Sequence, residues 1–316
     1  MDDLLFRAAD LAASLLVRTV PAIVIGVFLA ELFVALNVTE RIALLVRPVT
    51  RFAHLCNEAG ASFMLAFISP NAANAMLVDY YQKDTLDRSE LILASLLNSF
   101  PSIVMHWRVL LPVYIPLLGI AGLIYFLLLT FVGFLKTALI MLVARLILPE
   151  RPDGEAEVPQ AQRVPVRELP QQVFRAAKAP LRRILVITIP TIILVALLIE
   201  MGVFDRLAIM LEGATRLFPV PVGGIGIIAA QFANFVAAAS VASPLYFSGV
   251  ISTRDLVITL LVGNVLSSVT RSFRWLGSFY IAIFGPRLGI EIMVLSTAIR
   301  NGLMVILIFA LAWIWQ

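Results

Sequence analysis

The sequence predicts an all-α, polytopic membrane protein built from two inverted-topology repeats with broken helices. Three observations lead there. Hydrophobic residues make up 61% of the chain and charged residues 14%, with a mean hydropathy of +0.98; ordinary globular domains are roughly half apolar and a quarter charged. A proline- and charge-rich stretch, 149–183, parts two hydrophobic halves of similar length. The halves also match one another in their polar residues, in the same order.

Each observation fixes part of the architecture. A helix needs about 20 mostly apolar residues to cross a hydrocarbon core. Leu185 to Phe204 meets that requirement; Gly223 to Val250 carries no charge, and Ile120 to Leu148 only Lys136 and Arg145. The start, "MDDLLFRAADLAASLLVR", has no basic leading region and no small-residue cleavage site, so no removed signal peptide is expected. The stretch "PERPDGEAEVPQAQRVPVRELPQQVFRAAKAPLRR" reads as a solvated linker ending in a short amphipathic helix. The chain therefore divides into a first membrane repeat (1–148), a linker (149–183) and a second membrane repeat (184–316).

The repeat rests on a gapless match. "LLNSFPSIVMHWRVLLPVYIPLLG" (96–119) aligns with "VGNVLSSVTRSFRWLGSFYIAIFG" (262–285) at an offset of 166, bringing Asn98 onto Asn264, Ser102 onto Ser268, Arg108 onto Arg274, Tyr114 onto Tyr280 and Gly119 onto Gly285. Nearer the start of each half, Pro21 and Glu31 fall on Pro190 and Glu200. Each half then reads as a long span (19–36; 185–204), a short arginine-bearing segment (41–55; 205–218) and a small-residue segment (61–81; 223–250). An Asn-bearing segment (89–107; 254–273), a Pro- or Gly-broken piece (109–119; 275–285) and a last long span (120–148; 287–315) complete it. Lysine and arginine mark the cytoplasmic side of a membrane protein. The linker holds seven and the chain after Arg300 none, so the linker is expected in the cytoplasm and both termini outside. An odd number of crossings per half then makes the halves inverted, an architecture common in secondary transporters.

Composition narrows the chemistry. A net charge of +4 reflects loop charge and orientation, not nucleic-acid binding. One cysteine and two histidines, with no HExxH, leave no multi-cysteine or zinc-protease site. No GxxxxGK[ST] is present, and no catalytic constellation is recognisable, so neither an enzyme nor a cofactor is expected. "HLCNE" (54–58) offers metal-ligand types at a spacing that suits no standard helical site, and reads as interfacial loop.

Polar groups inside apolar runs are the candidate site. An unsatisfied one costs several kcal/mol in a bilayer, so each faces a partner or a cavity. The first half supplies Asn71, Asn74, Asn98, Ser99 and Ser102; the second supplies Gln231, Asn234, Ser240, Asn264, Ser267 and Ser268. Pro70 and Pro101 interrupt the first set and free backbone carbonyls. Two such segments meeting near the midplane make a solute site; the same residues also serve as hydrogen-bonded glue between helices. Glu31 and Glu200, near span ends, suit an interfacial place or charge coupling. Lys136 and Arg300 suit a counter-ion for an anionic solute or a structural ion pair. Arg41, Arg47, Arg51, Arg206 and Arg216 read as interfacial anchors.

The motifs "SPNAANAML", "LLNSFPS" and "GNVLSS" resemble those of the nucleoside recognition, or Gate, family of membrane domains. That family includes spore maturation proteins A and B, the membrane gate of ferrous-iron transporters and, more distantly, concentrative nucleoside transporters. The chain departs from the iron gates in having no GTPase domain and no cysteine in the matched segments. The resemblance implies a transporter or gate for a small polar solute or ion, with its substrate site between the repeats, in a prokaryotic inner membrane. The lipid bilayer and that solute are the expected partners, with a second copy or another membrane protein left open. A non-transporting scaffold, whose polar residues only hold helices together, is the alternative.

Overall fold

The computed structural model describes residues 2–35, 52–67, 69–150, 169–203, 206, 217–272 and 277–315. Arg41, Arg47, Arg51, Arg216, Arg274 and most of the linker lie outside the described residues. Within them the chain is helical, without a strand.

In the first half, α1 (Asp2–Ala35) is followed by α2 (Asn57–Leu65), α3 (Pro70–Gln82), α4 (Arg88–Leu97), α5 (Ser99–Met105), α6 (Trp107–Leu118) and α7 (Ile120–Ile147). The second half runs α8 (Leu169–Glu200), α9 (Ile225–Ala233), α10 (Phe235–Phe247), α11 (Thr253–Arg271) and α12 (Gly277–Ile314). Local chemistry sets the boundaries. Ser69 caps α3, its hydroxyl accepting from the Ala72 amide at 3.2 Å, and Pro70 takes the first helical turn, where its missing N–H costs nothing. Asp87 caps α4 through the Glu90 amide at 2.8 Å. Asn234 caps α10 through the Ala237 amide at 2.8 Å, in an extended conformation that splits the segment 223–250 into α9 and α10.

Local structure repeats as the polar residues do. Asp84 (φ 56°) and Gly249 (φ 76°), 165 positions apart, end α3 and α10 in the left-handed region. The next bonds match as well: Thr85 N to Tyr80 O at 3.0 Å, and Val250 N to Leu245 O at 3.0 Å. Gly119 (φ 56°) breaks the chain before α7 and Gly285 (φ 77°) kinks it within α12, at backbone angles that side-chain-bearing residues rarely adopt. One difference is plain. The Asn-bearing segment breaks at Asn98 in the first half but runs unbroken through Asn264 to Arg271 in the second.

Helix directions follow from the side chains that meet. Arg7 pairs with Glu200 at 3.4 Å, and the Phe28 and Phe174 rings lie 6.0 Å apart, so α1 and α8 pack antiparallel. Ser99 meets Lys136, Ile103 lies against Gly133 and Tyr114 against Tyr125; α5 and α6 therefore climb antiparallel to α7. Arg254 reaches the Ala312 carbonyl and Ser272 the Thr297 hydroxyl, giving α11 and α12 the same relation.

Two apolar cores form, and each mixes the halves. One joins Ile23, Leu117 and Tyr125 to Ile192, Ala238 and Leu261. The other joins Phe63, Leu91 and Ile140 to Phe284, Ile292 and Met293. Among the described residues 4 helices are long and apolar enough to cross a membrane: Leu4–Leu29, Ile120–Ile147, Leu169–Glu200 and Tyr280–Ile314. Less than a third of each apolar window is buried within the chain. Leu146, 77% exposed, and Trp313, 76% exposed, belong to faces that water disfavours and lipid accepts. The protein is an integral membrane protein.

Candidate functional site

The break after α4 places Asn98 in a buried polar cluster. Its side-chain N–H groups donate to Ser62 Oγ at 2.9 Å and Asn74 Oδ1 at 3.0 Å, and the Ser62 hydroxyl donates to the Ala73 carbonyl at 2.9 Å. This ties α2, α3 and α4 together at one point. The Asn98 carbonyl oxygen is buried and accepts no hydrogen bond. Next along the chain, the Ser99 hydroxyl donates to Leu96 O at 2.6 Å and accepts from Lys136 Nζ at 2.9 Å. Lys136 donates also to Ser296 Oγ on α12 at 2.6 Å, so this buried ammonium bridges the two halves.

Asn264 occupies the corresponding place on α11, with different neighbours. It donates to the Tyr125 hydroxyl at 2.7 Å. Its side-chain carbonyl accepts from two guanidinium groups, Arg271 Nη2 at 3.0 Å and Arg300 Nη2 at 3.2 Å. Arg271 also reaches the Asn264 backbone carbonyl at 3.1 Å, and Asn301 Nδ2 donates to Ser268 Oγ at 2.6 Å. Two cations sharing one oxygen repel by on the order of 1–3 kcal/mol at effective dielectrics of 20 and above, the exposure of Arg271 favouring the low end. No carboxylate among the described residues pairs with Arg271, Arg300 or Lys136. The expectation of an ion pair at Lys136 or Arg300 thus finds no acidic partner there.

The other candidates fall into three groups. Gln231 and Ser267 are buried near this cluster; Gln231 Nε2 donates to Leu260 O at 3.2 Å, while Gln231 Oε1 and Ser267 Oγ have no partner. Ser240 bonds back to Val236 O at 2.9 Å, and Asn234 is a helix cap, so both serve helix geometry. Asn71 is exposed at the start of α3, and the side chain of Ser102 lies outside the described residues. No hydrogen bond joins Asn98 to Asn264; they anchor separate clusters, and Lys136 to Ser296 and Asn264 to Tyr125 both cross between the halves.

The carboxylates are engaged. Glu31, 5% exposed, pairs with Arg108 across α1 and α6, and Glu200 pairs with Arg7. Glu31, whose sequence position suits an interfacial place or charge coupling, is thus held in a buried ion pair. Arg88 on α4 and Glu291 on α12 form a further pair between the halves at 2.5 Å. No group of three or more potential metal ligands occurs among the described residues.

Sequence reading missed Ser62, Tyr125, Ser296 and Arg271. Arg271 aligns with Met105 at the repeat offset, so a search for matched polar residues passes over it. Tyr125 sits in a run that reads as uniformly apolar.

Known proteins place the chain among relatives that match more than nine-tenths of its length. It is 30% identical over 300 residues to the uncharacterized protein MJ1556 of Methanocaldococcus jannaschii, an archaeon, covering 95% of this chain and 96% of that one. The chain belongs to the MJ1556 family. It is also similar to two further uncharacterized proteins of that organism: MJ0871, 25% identical over 93% of this chain and 92% of that one, and MJ0880, 26% identical over 91% and 94%. No family model and no solved structure matches the chain.

Proposed function

We propose that this member of the MJ1556 family is a membrane transporter or gate for a small polar solute or ion, with its site between two inverted repeats. The observation that carries the reading is the pair of polar clusters on matched helices, each holding buried groups with no protein partner: Asn98 Oδ1 in one, Gln231 Oε1 and Ser267 Oγ by the other. Each such group costs about 1–3 kcal/mol if nothing meets it. Asn98 and Asn264 also bond across helices, as glue would; the atoms left over beside those bonds are what favour a solute.

Antiparallel packing of α1 on α8 supports the inversion, since these are the opening helices of the two halves. In the first half, α1, the broken rod α4–α6 and α7 make three crossings, with α2 and α3 folding back as a short hairpin. The second half repeats this order. In this reading the linker is cytoplasmic, both termini are outside and the chain resides in a prokaryotic cell membrane. The resemblance to the nucleoside recognition family favours the same class of function.

The test is flux. Purified protein in liposomes is offered a nucleoside, a divalent cation and a small oxyanion, each labelled. The reading expects saturable uptake of one class, reduced roughly tenfold or more by Asn98→Leu or Asn264→Leu, in line with about 1–3 kcal/mol for an unpaired buried group. Absence of uptake for every class, or unchanged uptake in both variants, overturns it in favour of the scaffold.

A further inference from the structure

Building on that reading, we infer that the Arg271–Arg300 pair on α11 and α12, with Lys136 behind it, is the binding site for a small oxyanion. What marks the pair is a missing counter-charge. Arg271 and Arg300 both donate to Asn264 Oδ1, at 3.0 and 3.2 Å, so their Nη2 atoms lie no farther apart than those two distances together. Like charges this close, one of them half-buried, favour an anion between them. No described residue supplies one. The group that stands there is an amide oxygen, which carries only a partial charge.

The surroundings fit an oxyanion in geometry as well as charge. Guanidinium groups present parallel N–H donors that match carboxylate and phosphate oxygens. Further donors reach the same stretch of α12: the Asn301 amide, next to Arg300 and bonded to Ser268, and the Lys136 ammonium, held by Ser99 and by Ser296 one turn before Arg300. A cation binding here would meet three positive side chains. A neutral solute would leave their charge uncompensated.

Access is graded. Arg271 is exposed, Arg300 half-buried and Lys136 only 2% exposed. An anion arriving at Arg271 displaces the Asn264 carbonyl from the guanidinium groups, and the cations deepen from there. Lys136 touches a serine from each half, so it is placed to sense a shift of one half against the other.

The experiment uses the full chain in nanodiscs of neutral phosphatidylcholine and follows its melting temperature. The probes are inorganic phosphate, succinate, adenosine and magnesium. Phosphate, succinate or both should stabilise the protein saturably, with adenosine and magnesium inert. Arg300→Gln and Arg271→Gln should each weaken that affinity tenfold or more. Asn264→Asp keeps both arginines and puts a resident carboxylate between them; it should raise the ligand-free melting temperature and abolish the oxyanion response. Should an arginine variant fail to fold, Asn264→Asp carries the test alone. Loss of the phosphate response in discs containing phosphatidylglycerol would assign the same site to a lipid phosphate; retention would assign it to a free solute. A wild-type protein stabilised by adenosine or magnesium and not by oxyanions refutes the inference while leaving transport intact. Oxyanion binding without flux of any solute keeps the inference and refutes transport.

Discussion

Breaking the Glu31–Arg108 pair should destabilise the protein by about 2–3 kcal/mol. Stranding one partner of a fully buried ion pair costs roughly 3–5 kcal/mol. Glu31 is 5% exposed, whereas the Arg108 side chain is 30% exposed, so an unpaired Arg108 recovers part of its hydration and the cost falls below that range. Glu31→Ala removes the charge and leaves a gap between α1 and α6, which pack so closely at Gly26 that a Cβ there would lie 2.9 Å from Pro112. Glu31→Gln keeps an acceptor for Arg108 and should cost less, about 1–2 kcal/mol. Equilibrium unfolding in mixed detergent, followed by helical circular dichroism, measures both. The double variant Glu31→Gln with Arg108→Gln should be less destabilised than the two singles combined, because the second change removes a charge the first left alone. A cost below about 0.5 kcal/mol for Glu31→Ala, with additive singles, would show that the pair is surface decoration.

Other outcomes follow from single contacts. Gly122→Ala should cost about 1–3 kcal/mol, since a Cβ there would sit 2.7 Å from the Tyr114 backbone oxygen; Gly302→Ala, with nothing within 4 Å, should be neutral or stabilising under the same unfolding assay. Burial pushes the Cys56 thiol well above its ordinary range, with Glu90 adding to the effect, so maleimide should label Cys56 only after unfolding. That shift also ties stability to pH. A thiol whose pKa is raised in the fold contributes nothing unfavourable below the unfolded value of about 8.5 and destabilises as pH climbs above it. Stability measured between pH 8 and 10 should therefore fall less in Cys56→Ala than in the wild type, and equal slopes would contradict the assignment.

Much of the architecture was legible because it rests on short-range chemistry. Apolar length marks the spans, and Ser69 with Pro70 marks the start of α3. The glycines at 119 and 285 mark the breaks, since a positive φ is a property of one residue. The site was only partly legible. Asn98 and Asn264 stand out as amides in apolar runs, yet their partners, Ser62 and Tyr125, come from elsewhere in the fold. Matching the halves led to residues the two share, whereas the charge of the site comes from Arg271 and Lys136, where the halves differ. The place of Glu31 in its span suits an interfacial position or charge coupling; only the packing of α1 on α6 reveals Arg108 beside it.

The claim on which the account turns is that the two halves cross the membrane in opposite directions around these clusters. Single cysteines placed in a Cys56→Ala background, in the linker near residue 160 and at each terminus, test it directly with a membrane-impermeant maleimide. Oppositely oriented halves give labelling of both termini from outside in intact cells, and labelling of the linker only after the cytoplasmic face is opened. A terminus and the linker labelled from the same side would contradict it.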